Sequence, residues 1–529
     1  MDAPLPFVDP KAQAGKFAAP AETFDVLVVG GGPAGTAAAV EAAGHGASVL
    51  LIDEHPVGAG LVGLDVPFLF GGRATAAVVT PERLVEQVVA TSPGLEAAFE
   101  AGVDVRLGVS CFGLYVEGPG SLSLPGRIAA LSDGERSWTV GFRTAVVATG
   151  ARDLVIFFPG SELPGVVGAV GLHTLLARYD AFDGRRVVVL GSDALAVEAV
   201  LACRARGVAV AAVVEVALAV AAPADLAAAL ADTGVPVLTS HVVVRAEGDP
   251  TGIRAAVVAP VGGGEATRIA CDTICLALGR VPVVDLLDAA GAALAYRDDA
   301  GGFVPTTADG LETTLPCVFV AGDCAGLGRR SSDGTADAAG RAAARAALAR
   351  LGRDVPAAEL PVVDAAPTEA YRLAWMDAMT AAGGPDVEIC RCEEVTRAEL
   401  LGVRPPRYLG ADAAPCPPLE RLAEDGTPSP DQLKRLTRAG MGVCQGRRCR
   451  EQVAMATALA TGTPLARLPL AGYRAPVRPL PLAAIADRDE TPAMTADWDV
   501  WFGIPTQWVP YDDIGTERED AFLGRNMHL

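Results

Sequence analysis

The chain has 529 residues, and its 43 lysine and arginine residues against 64 aspartate and glutamate residues give a net charge of −21. This length is sufficient for about two to four domains, and half of the residues are hydrophobic, so large buried cores are expected. The negative charge argues against nucleic acid or an anionic membrane surface as a partner, because both attract clustered basic charge.

The beginning of the chain and its most apolar stretch contain no targeting signal. Residues 1–23 lack a basic start followed by an apolar run, so no signal peptide is predicted. The apolar stretch 208–230 is interrupted by Glu215, Pro223 and Asp225, which argues against a membrane span. Eleven cysteines without a secretory signal indicate reduced thiols or metal ligands. The expected location is the cytoplasm.

A first nucleotide-binding unit is predicted from FDVLVVGGGPAGTAAAVEAAGHGASVLLIDE, which has the pattern of strand, glycine turn, helix and strand. The turn matches G-x-G-x-x-G, in which the first glycine makes the turn, the second admits a pyrophosphate and the third lets the helix pack closely. The second strand ends at Asp53, which would bind the ribose hydroxyls, with Glu54 as the nearby alternative. The predicted loop residues are Gly30, Gly32, Pro33, Ala34 and Gly35.

Two later segments distinguish FAD from NAD as the bound dinucleotide. RTAVVATGAR (143–152) contains Ala148, Thr149 and Gly150 at a strand end, and LPCVFVAGDCAG (315–326) ends its strand at Gly322 and Asp323. With these segments the chain resembles the two-dinucleotide-domain flavoproteins, in which the aspartate of the second segment contacts the flavin ribityl chain. The resemblance implies FAD. A helix opening near residues 334–335 would direct its positive end at the flavin pyrimidine.

Residues 183–215 repeat the strand, loop, helix and strand pattern with an altered loop. In the family, this inserted domain binds NAD(P)H, but here Asp193 occupies the position of the second glycine. A carboxylate at that position blocks and repels a pyrophosphate, so a poor nicotinamide site is predicted, although Glu215 could still accept a ribose. A structural nucleotide remains an alternative. Disulphide reductase chemistry is not expected, because no close cysteine pair accompanies the flavin segments.

Four cysteines follow a boundary near residue 352 and a linker-like stretch. Cys390 and Cys392 form C-x-C, and Cys444 and Cys449 form C-x-x-x-x-C, each pair preceding a predicted helix. Four thiolates at one centre suit zinc or an iron–sulphur cluster equally well by ligand type. The C-x-C spacing departs from common zinc motifs and favours a two-iron cluster.

CRCEEVT followed by QLKRLTRAGMGVCQGRRC resembles the ferredoxin-like [2Fe–2S] unit of one flavoprotein group. That group comprises the large subunits of heteromeric amino-acid and opine dehydrogenases, including octopine and nopaline oxidases, hydrogen cyanide synthase, and the heteromeric proline and sarcosine enzymes. The Pro-rich stretch between Cys392 and Cys444 is longer than in the compact version and is interpreted as a loop insertion. The tail from Asp487, with three of the five tryptophans, lies outside the resemblance. It is predicted to pack as an arm on this chain or a partner, with an irregular extension over its own surface as the alternative.

The resemblance implies an electron-transferring subunit. In such complexes a second flavoprotein subunit oxidises the C–N bond of an amino acid or secondary amine, and electrons pass to the large subunit, in some cases through an FMN at the interface. A small third subunit is also compatible. The main alternative is a stand-alone NAD(P)H-dependent reductase of a ferredoxin-like acceptor, which would need a working second loop. No catalytic side chain is predicted, because the cofactors carry the chemistry.

The predicted fold class is α/β, with two Rossmann-like dinucleotide-binding domains, the second inserted in the first, and a small helical cysteine-rich [2Fe–2S]-binding domain. The predicted bounds are an N-terminal extension (1–23), the FAD-binding domain (24–160 and 291–352), the inserted domain (161–290), a linker (353–387), the cysteine-rich domain (388–466) and a C-terminal arm (467–529).

Overall fold

The computed structural model describes residues 18–57, 72–116, 124–309, 311–328, 334–360, 366–409, 417–486, 513 and 515–519. Most of the predicted N-terminal extension, part of the Pro-rich insertion and nearly all of the tail beyond residue 486 lie outside the described residues. No helix within these ranges is long and apolar enough to cross a membrane.

The described strands are, in chain order, β1 Thr23–Val29, β2 Val49–Asp53, β3 Asp104–Leu107, β4 Ser110–Tyr115, β5 Ile128–Ser132, β6 Ser137–Val147, β7 Ala151–Asp153, β8 Val166–Gly168, β9 Arg186–Leu190, β10 Ala209–Val214, β11 Val237–Leu238, β12 His241–Asp249, β13 Gly252–Pro260, β14 Thr267–Ala270, β15 Thr273–Leu276, β16 Arg280–Pro282, β17 Leu294–Arg297, β18 Gly302–Pro305, β19 Thr307–Ala308, β20 Glu312–Thr313, β21 Val318–Val320, β22 Glu388–Cys390 and β23 Val395–Thr396.

The described α-helices are α1 Pro33–Gly44, α2 Pro81–Ala90, α3 Pro93–Glu100, α4 Ala169–His173, α5 Ala194–Ala205, α6 Ala224–Asp232, α7 Asp285–Ala289, α8 Thr335–Arg350, α9 Glu369–Gly383, α10 Arg397–Leu401, α11 Leu419–Asp425, α12 Pro430–Thr437, α13 Arg450–Thr461 and α14 Leu482–Ala486.

The first sheet is built around parallel strands in the order β3-β2-β1-β6-β21. Strand β1 reads as an uninterrupted apolar run because both of its faces are covered. Val26 and Val28 face a core that also contains residues of α1 and α8, whereas Leu27 and Val29 face a second core that includes Leu286 of α7. The carboxyl ends of β1, β2 and β6 therefore meet at one edge, where the predicted loop lies.

The second sheet is also parallel, with the order β11-β10-β9-β15-β8, and an antiparallel β12-β13-β14 sheet accompanies it. The antiparallel pair β7 and β16 connects this unit to the first domain. Leu286 and Leu287 of α7 pack in the core that also contains Leu27 and Val29 of β1.

Helix α9 lies within the stretch predicted as a linker. Its Trp375 and Met379 are fully buried in a core that also contains Ile253 and Val258 of the inserted domain. The same core includes Ile389 and Val453 of the cysteine-rich unit. The segment is therefore a helix that packs against both the inserted domain and the cysteine-rich unit, and the predicted α/β class is confirmed.

Candidate functional site

The first glycine loop has the backbone that a dinucleotide requires. Gly30 has a φ of +111°, and a Cβ there would lie 2.2 Å from the Ala148 carbonyl oxygen. A Cβ at Gly35 would lie 1.8 Å from the Gly30 carbonyl oxygen, so the turn and the start of α1 pack directly on each other. Gly32, the N-cap of α1, has no protein atom within 4 Å of its Cβ position. The space before the helix N-terminus is open at this position, and the peptide N–H groups there favour an anion.

A cleft opens from this loop along the carboxyl edge of the first sheet. Thr149 Oγ1 donates to the Val283 carbonyl at 2.7 Å, and Gly150 has a φ of +69°. The lining includes most of the sequence-predicted residues, namely Gly30, Gly32, Asp53, Glu54, Ala148, Thr149 and Gly150.

The two predicted ribose acceptors have different surroundings. Asp53 Oδ2 accepts from the Gly31 N–H at 2.5 Å and Oδ1 accepts from the His55 N–H at 2.6 Å, so this carboxylate holds the loop in place. Glu54 instead forms an ion pair with Arg478 (Nε to Oε2, 2.7 Å). Burial alone would raise the pKa of Glu54, but Arg478 outweighs it and holds the pKa below its ordinary value. Both carboxylates line the cleft.

The second FAD segment meets the first loop from the other side. A Cβ at Gly322 would lie 2.9 Å from the Ala34 Cβ, which places the G-D turn beside the loop. Asp323 is ion-paired with Arg280 of β16, at the connection to the inserted domain. Helix α8 begins at Thr335 after Gly334, as the sequence predicts, and its Gly340 packs against the backbone of Ala34.

The second glycine loop has the same backbone conformation as the first, but it carries an aspartate side chain where the first has a glycine. Gly191 has a φ of +105°, close to the +111° of Gly30. Asp193 has φ −75° and ψ −173°, and Gly32 has φ −75° and ψ −178°, so both are N-caps of equivalent helices. The Asp193 carboxylate accepts a hydrogen bond from the Ala196 N–H at 3.1 Å. It therefore occupies the position at the helix N-terminus that a phosphate oxygen would need. Burial raises its pKa to about 6.

A tyrosine from α9 closes the same loop. The Tyr371 hydroxyl accepts from the Ser192 N–H at 3.1 Å and donates to Glu215 Oε2 at 2.8 Å. Glu215, the predicted ribose acceptor, is fully buried and also accepts from the Ser192 hydroxyl at 2.6 Å. The polar groups that a nucleotide would use are therefore already paired within the chain. No sequence pattern indicated Tyr371, because it lies 156 residues from Glu215.

The four predicted ligand cysteines lie together. The sulphurs of Cys390 and Cys392 are 4.0 Å apart, those of Cys392 and Cys444 are 3.6 Å apart, and Cys390 also contacts Cys449. These separations are close to the roughly 3.8 Å expected of two thiolates on one tetrahedral metal. Within the described residues, no three His, Cys, Asp or Glu side chains surround a single point as ligands of one metal ion.

Backbone N–H groups point at three of these sulphurs. The Gly440 N–H donates to Cys390 at 3.3 Å, and the N–H groups of Cys444 and Arg448 donate to Cys392 and Cys444. The neighbouring Cys392 thiol and burial raise the pKa of the Cys444 thiol well above its usual range. A bound cation would be needed to hold these groups as thiolates, and the N–H donors would then stabilise the sulphur charge.

A buried carboxylate, which the sequence did not indicate, joins the cysteine loop to the cleft. Asp285 is ion-paired with Arg152 (3.5 Å), Arg447 of the cysteine loop (3.2 Å) and Arg478 (3.4 Å). Arg152 Nε also donates to the Arg447 carbonyl at 3.1 Å. Burial alone would raise the pKa of Asp285, but these arginines lower it to about 2. The Asp285 carboxylate thus binds three arginines: Arg447 in the cysteine loop, Arg152 next to the A-T-G segment, and Arg478, which also pairs with Glu54.

Replacing Asp285 with asparagine should lower the free energy of unfolding by about 3–5 kcal/mol, because it leaves buried arginines without their counter-charge. The carboxylate has a lowered pKa in the folded state, so its contribution is complete above the unfolded pKa of about 3.9 and is lost as the pH falls toward 2. Urea denaturation of the wild-type and D285N chains between pH 3 and pH 7, a range that brackets the unfolded pKa of about 3.9, measures this difference in the free energy of unfolding.

The matched control is Asp133→Asn, a carboxylate paired with Arg136 on a surface hairpin. This substitution should lower the free energy of unfolding by less than about 1 kcal/mol at every pH. A D285N chain as stable as the D133N chain at neutral pH would contradict the buried-anion role.

Comparisons with known proteins agree with this geometry. Residues 24–346 match the family model described as pyridine nucleotide-disulphide oxidoreductase, and residues 418–488 match the sarcosine oxidase A3 domain. An opine oxidase subunit from Agrobacterium tumefaciens (strain Ach5) is 28% identical over 88% of this chain and 92% of that protein. The alpha subunit of sarcosine oxidase from Corynebacterium sp. (strain P-1) is 28% identical over 93% of this chain and 48% of that protein.

A further relative is the HcnB subunit of hydrogen cyanide synthase from Pseudomonas protegens, 29% identical over 81% of this chain and 90% of that protein. Among solved structures, L-proline dehydrogenase from P. horikoshii has a TM-score of 0.58 and 19% identity, covering 88% of this chain and 79% of that chain. The solved structure supports the fold, and the relatives confirm the predicted resemblance to large subunits of heteromeric amine-oxidising enzymes.

Proposed function

The chain belongs to the pyridine nucleotide-disulphide oxidoreductase family, and from this premise we propose that it is the electron-transferring flavoprotein subunit of a multi-subunit dehydrogenase or oxidase. The complex would oxidise the C–N bond of an amino acid, an opine or another secondary amine. The names of the relatives, which are subunits of opine oxidase, sarcosine oxidase and hydrogen cyanide synthase, support this reaction class.

FAD fits the cleft of the first domain. Gly30 and Gly35 allow the tight turn, and Gly32 leaves the α1 N-terminus facing the open space, where the pyrophosphate would lie. Asp53, or Glu54 as the alternative, would bind the ribose, and Asp323 would lie near the ribityl chain. Bound FAD supplies two-electron hydride acceptance. The residues of this chain bind the cofactor, orient it and neutralise its charge, and none of them is assigned as a catalytic acid or base.

Cys390, Cys392, Cys444 and Cys449 fit a [2Fe–2S] cluster. Their sulphurs lie in neighbouring pairs, and four cysteine thiolates are the soft donor set that such a cluster takes. Such a cluster supplies one-electron transfer. The observation that carries the proposal is the position of this loop, since Arg447 and Arg448 line a cleft together with Glu54 and Thr149.

The second domain argues against NAD(P)H as the source of electrons. Asp193 occupies the pyrophosphate position, and Tyr371 engages both the loop N–H and the carboxylate that would hold a ribose. A protein that receives its electrons from a partner has no need of this site. We infer a second flavoprotein subunit as that partner, with a small third subunit and an interfacial FMN as further components. A structural nucleotide in the second domain would have to displace Tyr371.

Amines and nicotinamides should affect the complex differently. When the complex is purified from its own cells and kept anaerobic, its flavin absorbance should bleach with one of a panel of secondary amines, amino acids and opines. Neither NADH nor NADPH should bleach it, because their pyrophosphate site is closed. Dithionite serves as the positive control for flavin reduction. Bleaching by NADH and by none of the amines would contradict the proposal and favour the reductase alternative.

A further inference from the structure

A cavity of about 270 Å³ lies between the second glycine loop and α9, and it shares no lining residue with the FAD cleft. Its wall includes Asp193 of the loop, Gly279 and Arg280 at the start of β16, and Tyr371 and Arg372 of α9. The volume lies near the lower end of the range of about 300–1,000 Å³ that is usual for ligand sites. The cavity therefore suits a small molecule.

Arg372 is a buried cation without an ion pair in the part of the chain that the structure describes. The residue is 7% exposed, and its guanidinium donates to the carbonyls of Gly301 (2.8 Å) and Arg280. Its Nε has no hydrogen-bond partner among these residues. Burial lowers the pKa of Arg372, as expected for a guanidinium whose charge is poorly compensated. One donor of this arginine is therefore available to an anion.

Gly279 leaves the Nε–Nη2 edge of Arg372 uncovered on the cavity side. Both residues line the cavity, and a Cβ at Gly279 would lie 3.2 Å from Nε and 3.4 Å from Nη2. This edge of a guanidinium presents two parallel N–H groups, which is the arrangement that binds a carboxylate through both of its oxygens. The cavity therefore offers a site for a carboxylate.

The other charged side chains of the wall are already paired, with one exception. Arg280 binds Asp323, and Asp299 binds Arg297. Asp193 is the exception, because its carboxylate makes no ion pair with a described residue and accepts a single helix N–H. Asp193 therefore contributes an uncompensated negative charge to the cavity.

Asp193 and Arg372 act on each other's pKa without forming an ion pair. Two further carboxylates act on Arg372, but both have other partners: Glu451 binds Arg152 at 2.6 Å, and Asp298 accepts from two N–H groups at the start of α9. Opposite charges held apart on one wall complement a molecule that carries both charges.

We propose that this cavity binds an aliphatic α-amino acid, whose carboxylate pairs with Arg372 and whose ammonium group pairs with Asp193. The side chain of the ligand would contact the apolar part of the lining, which includes Ala194, Leu195, Ala221, Pro223 and Leu327. No covalent bond forms or breaks on binding. The site lies on this chain and is separate from the site at which a partner oxidises its substrate, so the inference goes beyond the proposed function.

Isothermal titration calorimetry of the chain purified from its own cells, with the subunits that remain bound, tests the site. The probe is α-methyl-L-leucine, which has no α-hydrogen and therefore cannot be oxidised to an imine. The analogue 4-methylpentanoate lacks the ammonium group, and 3-methylbutylamine lacks the carboxylate. At about pH 8 the Asp193 carboxylate, whose pKa is about 6, is ionised. The probe should then bind once per chain, at least about tenfold more tightly than either analogue.

Two variants each remove one charge from the cavity. Arg372→Met keeps a long side chain but removes the cation, and it should weaken binding of the probe by at least about tenfold. Asp193→Asn retains a good N-cap, and in that chain 4-methylpentanoate should bind at least as tightly as the probe. The matched controls are Arg254→Met and Asp249→Asn, which break an ion pair elsewhere on the inserted domain and should change binding by less than about twofold.

Three results would overturn the inference. The first is a wild-type chain that does not bind α-methyl-L-leucine. The second is binding of the probe that R372M leaves unchanged, or a preference for the probe over 4-methylpentanoate that D193N retains, because the ligand would then lie elsewhere, for example on a partner subunit. The third is displacement of the probe by ADP, which would assign the cavity to a nucleotide.

The selectivity of D193N keeps the inference testable if R372M does not fold, because it compares two ligands on one folded chain. Bleaching of the flavin by an amine, which tests the proposed function, involves neither Arg372 nor Asp193. Each of the two proposals can therefore fail without the other.

Discussion

Replacing Gly32 with aspartate is expected to abolish FAD binding while the chain remains folded. Gly32 has no protein atom within 4 Å of its Cβ position, and its φ of −75° suits any residue. Aspartate is a good N-cap, so α1 should not lose stability. Its carboxylate would occupy the place of the pyrophosphate and repel it, so FAD affinity should fall by at least about 100-fold, or about 2.7 kcal/mol.

The second domain already contains this substitution in natural form. Asp193 has nearly the same φ and ψ as Gly32 and caps the equivalent helix. FAD content after gel filtration measures the loss of binding in the G32D chain. The melting temperature of the apoprotein measures whether the chain remains folded. Asp193→Gly is the matched control and should leave FAD content unchanged. A G32D chain that retains stoichiometric FAD would contradict the assignment of the first loop.

Replacing Cys444 with serine is expected to remove the iron–sulphur centre and to leave FAD bound. The Cys444 sulphur lies 3.6 Å from that of Cys392, and a serine oxygen is a poor ligand where soft thiolates are preferred. Iron and acid-labile sulphide should fall to below about a tenth of the wild-type content. Reduction of the flavin by an amine should persist, and transfer from the complex to a one-electron acceptor should be lost.

The matched control is Cys271→Ser, a buried cysteine of the inserted domain outside the four-sulphur group. Iron, labile sulphide and flavin should all remain at wild-type levels in that variant. Iron retained in C444S would rule out Cys444 as a ligand. Zinc in place of iron in the wild-type chain would favour the alternative four-thiolate metal.

Features set by local backbone requirements could be predicted from the sequence. Gly30 and Gly191 adopt positive φ in equivalent turns, and Asp193 stands where Gly32 stands in the first loop, as the motif comparison predicts. The proximity of the cysteine pairs was also predictable, because each pair precedes a helix of one small unit. The ligand roles of these residues stay predictions.

Features set by long-range packing could not be predicted. Tyr371 reaches Glu215 across 156 residues, and Arg478 reaches Glu54 across 424 residues, with no local pattern that marks either contact. The Pro-rich residues before Glu369 favoured a linker, yet burial of Trp375 in the shared core makes the following segment a structural helix. The closed second site therefore depends on a segment for which the sequence suggested no role.

The most direct test of the account is mild affinity purification of this chain from its own cells, with identification and quantification of every protein that remains bound. A second flavoprotein subunit is expected in stoichiometric amount, because the proposed function gives this chain an electron-relay role and assigns the oxidation of the substrate to a partner. Purification of the chain alone, with its flavin bleached by NADH, would contradict the account and identify a stand-alone reductase.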